Sequence, residues 1–238
     1  MNIFGFSTLD WLAVATFLLC WMGYTRVAIV VSRRTPALSS VLHQRRKTWM
    51  ANARTETRQQ QSYDILAIGI FERNVAFFAS TSLVIIAGLL TVLGSSEKVS
   101  NVLASVSFAV DSSLVQIQFK IFVLILLFVH AFFKFCWSMR CYSFLVTMVG
   151  ALPYLGVADV EQDPIKKATV DDWSERSAGI LSSAAHHFNL GLRVYYFALA
   201  VLAWFISPLF FLFSNLIVVA VLYRRDFKSA VLNNLQLD

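Results

Sequence analysis

The sequence contains few charged residues and few cysteines. Of its 238 residues, 14% are Asp, Glu, Lys or Arg and 58% are hydrophobic, and the mean hydropathy is +0.65. One soluble core cannot bury that much apolar surface, so the composition excludes an ordinary soluble domain and predicts a protein covered by lipid. The three cysteines, Cys20, Cys136 and Cys141, have spacings that predict neither a disulfide framework nor a zinc site.

Motifs for catalysis, cofactors and nucleic acids are also missing. The net charge is +6, yet few basic residues alternate with aromatic ones outside the apolar runs, so we expect no nucleic-acid partner. No Gly-x-Ser-x-Gly elbow or protease signature occurs, and we expect no enzyme. His130 lies inside an apolar run, whereas His186 and His187 precede another by seven or eight residues. Haem needs two axial ligands at one depth, so no haem or other cofactor is expected.

What the sequence has instead is four long apolar stretches. A membrane-spanning helix takes about 20 apolar residues, and the stretches at 11–31, 75–93, 121–139 and 194–223 reach about that length. We therefore predict an all-α polytopic membrane protein, one integral domain over 1–238 with about four transmembrane helices and cytoplasmic helical extensions. Small residues four apart, Ala76 with Ser80 and Ala87 with Thr91, permit close helix approach either within the bundle or between subunits, and we expect a homo-oligomer.

The distribution of Lys and Arg predicts the orientation of these stretches. The loop at 32–73 carries eight such residues and the loop at 140–193 carries five, whereas the loop between the second and third stretches holds only Lys98 with Lys120 at its edge. Basic loops stay in the cytoplasm, so we expect the N-terminus outside. Four spans would also put the C-terminus outside, and Arg224, Arg225 and Lys228 oppose that placement.

The fourth stretch has an unusual length. Its 30 residues would make about 45 Å of helix, against a hydrocarbon core of about 30 Å. We favour one long helix that is tilted or kinked at Pro208, and the alternative is a re-entrant segment that turns at Pro208 and returns the tail to the cytoplasm. Before this stretch, Thr169 followed by Asp172 predicts a helix start.

Ionisable residues close to or inside the apolar stretches are the candidate functional residues. A charge at the centre of a spanning helix costs about 2.5 to 3.5 kcal/mol on the insertion scale, so such groups usually pair or line a path. Counting residues from the predicted boundary places most of them near one cytoplasmic level, with Glu72 as the single acid and a natural partner for Lys134. The candidates for a ligand site or a pathway are Arg26, Glu72, Arg73, Asn74, His130, Lys134, Arg140 and Arg193.

The first loop contains a second group of candidates. Thr35 and Pro36 resemble a helix start, and Leu38, Leu42, Trp49 and Ala53 recur at helical spacing. This pattern favours a helix lying on anionic lipids, and the alternative is a solvated basic connector. The candidates for contact with a lipid surface are Arg45, Arg46, Lys47, Trp49 and Arg54.

Three segments carry a resemblance to a known family. They are 71–74 with the apolar residues after it, 133–140 and 192–200, and Tyr-Arg-Arg-Asp-Phe at 223–227 extends the likeness. The chain resembles the multi-pass membrane family called domain of unknown function 599, which occurs in bacteria and plants. The resemblance implies a bacterial inner-membrane protein with about four spans, and it implies no activity.

Two functions fit these observations. The first is a homo-oligomeric channel or transporter for a small solute, with an anion as the first candidate, because a ring of cations at the cytoplasmic end would attract anions. The second is a membrane module that transports nothing and binds anionic lipid or a protein partner. A polar stripe through several spans would favour transport, and here the stripe is confined to the cytoplasmic half.

Overall fold

The computed structural model describes residues 5–32, 38–55, 58–105, 110, 112–151 and 157–228. Every regular element in these residues is an α-helix, which confirms the predicted all-α class for the described part of the chain. The helices are α1 (Thr8–Ser32), α2 (Leu38–Thr55), α3 (Arg58–Gly94), α4 (Ser96–Ala104), α5 (Leu114–Gly150), α6 (Val157–Gln162), α7 (Pro164–Trp204) and α8 (Pro208–Phe227).

Three of these helices are long and apolar enough to cross a membrane. They are the Gln60–Gly94 part of α3, all of α5 and all of α8, and α1 opens with a shorter apolar segment at Thr8–Tyr24. The apolar stretches at 75–93 and 121–139 lie inside α3 and α5, and both helices continue beyond them for several turns. The described chain is thus a helical protein of the membrane type.

The fourth apolar stretch forms a helical hairpin, so the prediction of one kinked helix is wrong. The chain turns after Trp204, and α8 begins at Pro208 after the N-cap Ser207, whose hydroxyl accepts a hydrogen bond from the Leu209 amide at 3.2 Å. Proline suits the first turn of a helix, where its missing N–H has no intrahelical partner to lose. The two helices run antiparallel, and Arg193 of α7 meets Asp226 of α8 at 2.8 Å.

Helix α7 begins earlier than Thr169 and Asp172 predict. Its N-cap is Asp163, whose Oδ1 accepts hydrogen bonds from the Ile165 and Lys166 amides at 2.9 and 3.4 Å. The Thr169 hydroxyl instead donates to the Ile165 carbonyl inside the helix. The cap and the proline at 164 together set the start of the helix.

Helix α2 buries part of its apolar side against the protein. It packs against α7, and Met50 and Ala53 are fully buried there. Protein therefore covers part of the side that was expected to lie on lipid, and contact of α2 with a lipid surface stays a prediction. The helix start expected at Thr35 and Pro36 lies outside the described residues.

Aromatic side chains fill the interior along the bundle. Helix α5 packs between α3 and α7, while α1 packs against α8. Rings of Phe78, Phe135, Phe188 and Tyr195 contact one another at centroid distances of 5.6–6.0 Å. At Gly191 a Cβ atom would lie 2.4 Å from the Phe135 ring, so only glycine lets α7 approach α5 this closely.

The described bundle has two ends that differ in their contacts. At one end, here called the α4 end, α4 links α3 to α5, and the turn after α7 is held by the Val110 amide, which donates to the Ile206 carbonyl at 2.9 Å. At the other, the α2 end, α5 finishes and α2 lies against α7. Because α7 contacts both ends, it runs the full length of the bundle, and α8 brings the chain back to the α2 end.

Candidate functional site

A cavity lies at the α2 end, between α2, α7 and the last turn of α8. Its volume is about 590 Å³, within the range of small-molecule sites. We call it the basic cavity, because three arginines and one carboxylate line it among the described residues. Its polar lining residues are Ser39, His43, Arg46, Ser182, His186, Asn189, Arg193, Arg225 and Asp226.

Asp226 organises one wall of the basic cavity. Its carboxylate accepts hydrogen bonds from Arg193 Nη2 at 2.8 Å, Arg225 Nε at 3.0 Å and the Tyr24 hydroxyl at 2.9 Å. These bonds tie α1, α7 and α8 together. The Arg193 and Asp226 side chains are only 14% and 17% exposed, so the pair is largely withdrawn from solvent. One acid between two arginines leaves this wall positive.

Aromatic rings fix the directions of the two guanidinium groups. The Arg193 guanidinium lies over the Tyr24 ring at 5.1 Å, and the Arg225 guanidinium lies over the Tyr196 ring at 5.7 Å. Such cation–π contacts stabilise an arginine without neutralising it. Arg193 Nε is buried and has no hydrogen-bond partner among the described residues. The wall therefore presents fixed positive charge to the cavity.

Arg46 supplies positive charge from the opposite wall. Its Nη1 donates to the Ser182 hydroxyl at 3.4 Å, and His43 Nδ1 lies 2.9 Å from the same oxygen. Burial lowers the pKa of Arg46, and the Tyr142 phenol opposes that effect. An arginine stays protonated at neutral pH, so a bound anion would stabilise a cation that burial has partly desolvated.

Contacts with Glu175 and Asp64 hold α2 in place. Lys47 Nζ lies 2.6 Å from a Glu175 oxygen, and His43 Nε2 lies 3.6 Å from the other. The hydrogen bond and charge of Lys47 lower the pKa of Glu175, and Glu175 raises the pKa of Lys47 in return. On the other side of α2, Trp49 Nε1 donates to Asp64 at 2.8 Å. These contacts fix the position of the Arg46 wall relative to α7 and α3.

A second, smaller cavity adjoins the basic one. Its volume is about 280 Å³, and it shares Leu42, Arg46 and Ala185 with the basic cavity. We call it the aromatic cavity. Its other lining residues are Arg45, Trp49, Phe71, Tyr142 and Leu181.

Of the pathway candidates, only Arg193 lines the basic cavity. Arg26, Arg73, Asn74 and Arg140 are exposed on their helices, and Arg140 lies over the Phe144 ring at 5.7 Å. His130 is exposed too and meets the edge of Trp21 at 5.5 Å. Most of the cations expected to form one ring therefore do not border this cavity.

The expected pairing of Glu72 with Lys134 is absent from the described contacts. Glu72 accepts a hydrogen bond from Ser143 at 3.0 Å. Ser143 lies nine residues beyond Lys134 along α5, which is about 14 Å at 1.5 Å per residue. Lys134 and Arg193 instead both lie within electrostatic range of His186. Glu72 is therefore separated from the charges that it was expected to balance.

The lipid-surface candidates take different positions. Arg46 lines both cavities and Arg45 lines the aromatic one, whereas Lys47 pairs with Glu175 and Trp49 with Asp64. The side chain of Arg54 lies outside the described residues.

Sequence reasoning missed Asp226, Arg225 and Tyr24 as site residues. The sequence did contain one signal for them, the positive charge of residues 224–228, which opposed a C-terminus outside the cell. A hairpin at Pro208 returns these residues to the level of Arg193. Ser182 and His43 gave no comparable signal, because single polar residues on a helix are common. No group of three or more His, Cys, Asp or Glu in the described ranges could hold a metal ion.

The fold and the site together define an all-helical protein of the membrane type with an arginine-lined cavity at one end. The chain belongs to the family described as protein of unknown function, DUF599, whose model matches residues 12–231. The resemblance drawn from the sequence is thereby confirmed. No curated protein and no solved structure matches the chain.

Proposed function

We propose that this protein is a membrane protein that binds the phosphate-bearing headgroup of an anionic lipid in the basic cavity. The observation that carries the proposal is the set of three arginines with one carboxylate around a cavity of about 590 Å³. Arginine forms paired hydrogen bonds with phosphate, and basic pockets between helices suit anionic headgroups. The Ser39 and Ser182 hydroxyls and the Asn189 amide add neutral hydrogen-bonding groups.

The proposed topology has five membrane crossings and places the α2 end in the cytoplasm. The crossings are α1, α3, α5, the second half of α7, and α8. An odd number of crossings places the two termini on opposite sides of the membrane. With the α2 end in the cytoplasm, the N-terminus is outside and the C-terminal arginines are inside, so all basic segments obey the positive-inside rule. The bacterial inner membrane is the proposed location, on the strength of the family resemblance. A tag after Asp238 that is accessible only from the cytoplasm would support five crossings, and a tag accessible from outside would contradict them.

Transport by a single chain has less support. Aromatic rings occupy the described interior between the two ends, including Phe135 and Phe197, which are 0% and 1% exposed. Ser82 could have lined a path, but its hydroxyl donates to the Phe78 carbonyl at 2.8 Å and lies 3.0 Å from the Tyr195 hydroxyl. A pathway would therefore have to run between chains.

Self-association stays a prediction. Ser80, Ala87 and Thr91 are exposed on α3, and Ala76 is partly covered. The small exposed side chains would allow a second copy to approach closely. Mass measurement of the protein in detergent would test this separately from ligand binding.

The binding proposal is tested with short-chain lipids. Purified protein would be titrated with dihexanoyl phosphatidylglycerol and with dihexanoyl phosphatidylcholine, which share their chains and phosphate but differ in net charge. We expect tighter binding of phosphatidylglycerol, and about tenfold weaker binding in Arg225→Gln, because a hydrogen bond to a charged group contributes about 1.5 to 3 kcal/mol. Glycerol phosphate is the third probe, and distinguishes a headgroup site from a site that needs the whole lipid.

Arg176→Gln is the matched control. Arg176 is exposed and pairs only locally with Asp172, four residues away on α7. This variant should bind phosphatidylglycerol as the native protein does. Equal affinity for the two lipids, or equal weakening by both substitutions, would overturn the proposal.

A further inference from the structure

The aromatic cavity has a different chemistry from the basic cavity beside it. Five of its lining residues, Leu42, Trp49, Phe71, Leu181 and Ala185, are apolar, and Tyr142 contributes a ring. Its charged groups are Arg45 and Arg46. An entirely polar anion in the basic cavity would leave this neighbouring apolar surface without a partner.

The walls of the aromatic cavity are held in fixed positions. The Phe71 and Tyr142 rings stack at a centroid distance of 6.2 Å. The Trp49 indole is anchored by its 2.8 Å hydrogen bond to Asp64, and Leu181 is 3% exposed. A preformed apolar surface of this kind binds an apolar group without first having to reorganise.

Arg46 lies where the two cavities meet. It lines both of them, together with Leu42 and Ala185. A phosphate next to Arg46 would therefore have the arginines of the basic cavity on one side and the aromatic surface on the other. This arrangement matches a molecule with an anionic head joined directly to an apolar chain.

We propose that the ligand of the basic cavity is an amphiphile with a phosphate head and an alkyl-type chain, and that the chain lies in the aromatic cavity. This inference rests on the proposed function, because it extends the same binding site. The shared chemistry is that of an alkyl phosphate. Its source is either a phospholipid of the membrane or a single-chain phosphate amphiphile from solution.

The test is a series of alkyl phosphates, from ethyl to octyl phosphate, each titrated into purified protein held in an amphipathic polymer. Affinity should rise along the series by about fourfold for each methylene buried, until the cavity is full. Octanol, which has the chain without the phosphate, should bind far more weakly than octyl phosphate. Polymer without protein measures the partitioning of each probe.

Two phenylalanine variants locate the chain. Phe71→Ala should weaken octyl phosphate binding about tenfold or more and leave ethyl phosphate binding unchanged. Phe77→Ala is the matched control, since Phe77 lies on the same helix, is 66% exposed and lines neither cavity. It should change neither affinity.

The outcomes separate this inference from the proposed function. If ethyl and octyl phosphate bind equally, or if Phe71→Ala and Phe77→Ala weaken octyl phosphate equally, the chain does not occupy the aromatic cavity and the inference fails alone. If no alkyl phosphate binds and Arg225→Gln leaves phosphatidylglycerol binding unchanged, both the inference and the proposed function fail. Competition by dihexanoyl phosphatidylglycerol indicates a membrane phospholipid as the source. Octyl phosphate binding without such competition indicates a single-chain amphiphile and overturns the preference for phosphatidylglycerol proposed above.

Discussion

The two ends of the bundle contain similar charged groups in different surroundings. At the α4 end Lys120 is 3% exposed, and its Nζ donates to the Ser112 hydroxyl at 3.2 Å and to the Trp204 carbonyl at 3.0 Å. Trp204 Nε1 in turn donates to Asp10 at 2.7 Å. At the α2 end, Arg193 and Arg225 share Asp226 and still border a large cavity.

This difference separates a structural cation from the cations of the proposed binding site. Two of the three donors of Lys120 have protein acceptors, and its ammonium also lies 5.4 Å from the Trp204 ring centroid. The arginines at the α2 end have more donors than Asp226 can accept, and Arg193 Nε has no partner among the described residues. A buried charge by itself therefore does not indicate a binding site, whereas a buried charge with unused donors beside a cavity does.

The largest expected effect comes from removing the acid at the α2 end. Asp226→Ala leaves Arg193 and Arg225 without their shared carboxylate, and breaking a largely buried pair typically costs about 3 to 5 kcal/mol of unfolding free energy. Because the two cations are then uncompensated, added phosphate should stabilise this variant more than the native protein. Thermal unfolding with and without phosphate measures both effects.

Asp172→Ala provides the comparison for that variant. Asp172 pairs with Arg176 on the exposed face of α7, where both side chains are more than half exposed. An exposed pair of this kind contributes about 0 to 1 kcal/mol. If the two variants lost the same stability, the buried character of the Asp226 cluster would be contradicted.

The second prediction concerns the α4 end. Lys120→Met keeps most of the length of the side chain but leaves the buried Trp204 carbonyl and the Asp10 carboxylate without the ammonium. We expect a loss of about 1.5 to 3 kcal/mol in unfolding free energy, measured by chemical denaturation. The affinity for phosphatidylglycerol should stay unchanged, and no phosphate rescue should occur. Phosphate rescue of Lys120→Met would show that the two ends do not differ as proposed.

The sequence is sufficient to predict the helical class and the approximate positions of α3 and α5. Both helices are dominated by long apolar stretches, and such runs have few alternatives to a helix in lipid. The sequence does not favour the hairpin at Pro208, because a proline is compatible with a kink, an N-terminus or a turn. Only the contacts of α8 with α7 distinguish these possibilities.

The error about the hairpin also explains why most of the site was missed. With a single fourth helix, Asp226 would lie far from Arg193, and Glu72 becomes the only acid in reach of the cations. Counting residues from the membrane boundary to estimate their depth also assumes that the helices are straight, parallel and aligned at one boundary. The actual stagger of α3 against α5 places Glu72 opposite Ser143 instead of Lys134.

The smallest expected effect is the pH dependence of the contact that holds α2 on α7. Lys47 lowers the pKa of Glu175 from its usual value near 4.5. A carboxylate with a lowered folded-state pKa contributes stability above its unfolded pKa, and this contribution disappears as the pH falls through the folded-state pKa. Because Glu175 raises the pKa of Lys47, the Lys47 ammonium stays charged up to about pH 10. The pair therefore stabilises the fold between about pH 5 and pH 10.

Glu175→Gln should consequently melt at a slightly lower temperature than the native protein at pH 7, and the difference should vanish near pH 3. The effect is small because both side chains are largely in contact with solvent, which screens the attraction. Lys47 lies on the turn of α2 next to Arg46, so a loosened α2 should also weaken phosphatidylglycerol binding at pH 7 more than Arg176→Gln does. A difference in melting temperature that persisted at pH 3 would mean that Glu175 stabilises the fold through packing and not through its charge. The charged groups that matter at the α2 end would then be those of the basic cavity alone.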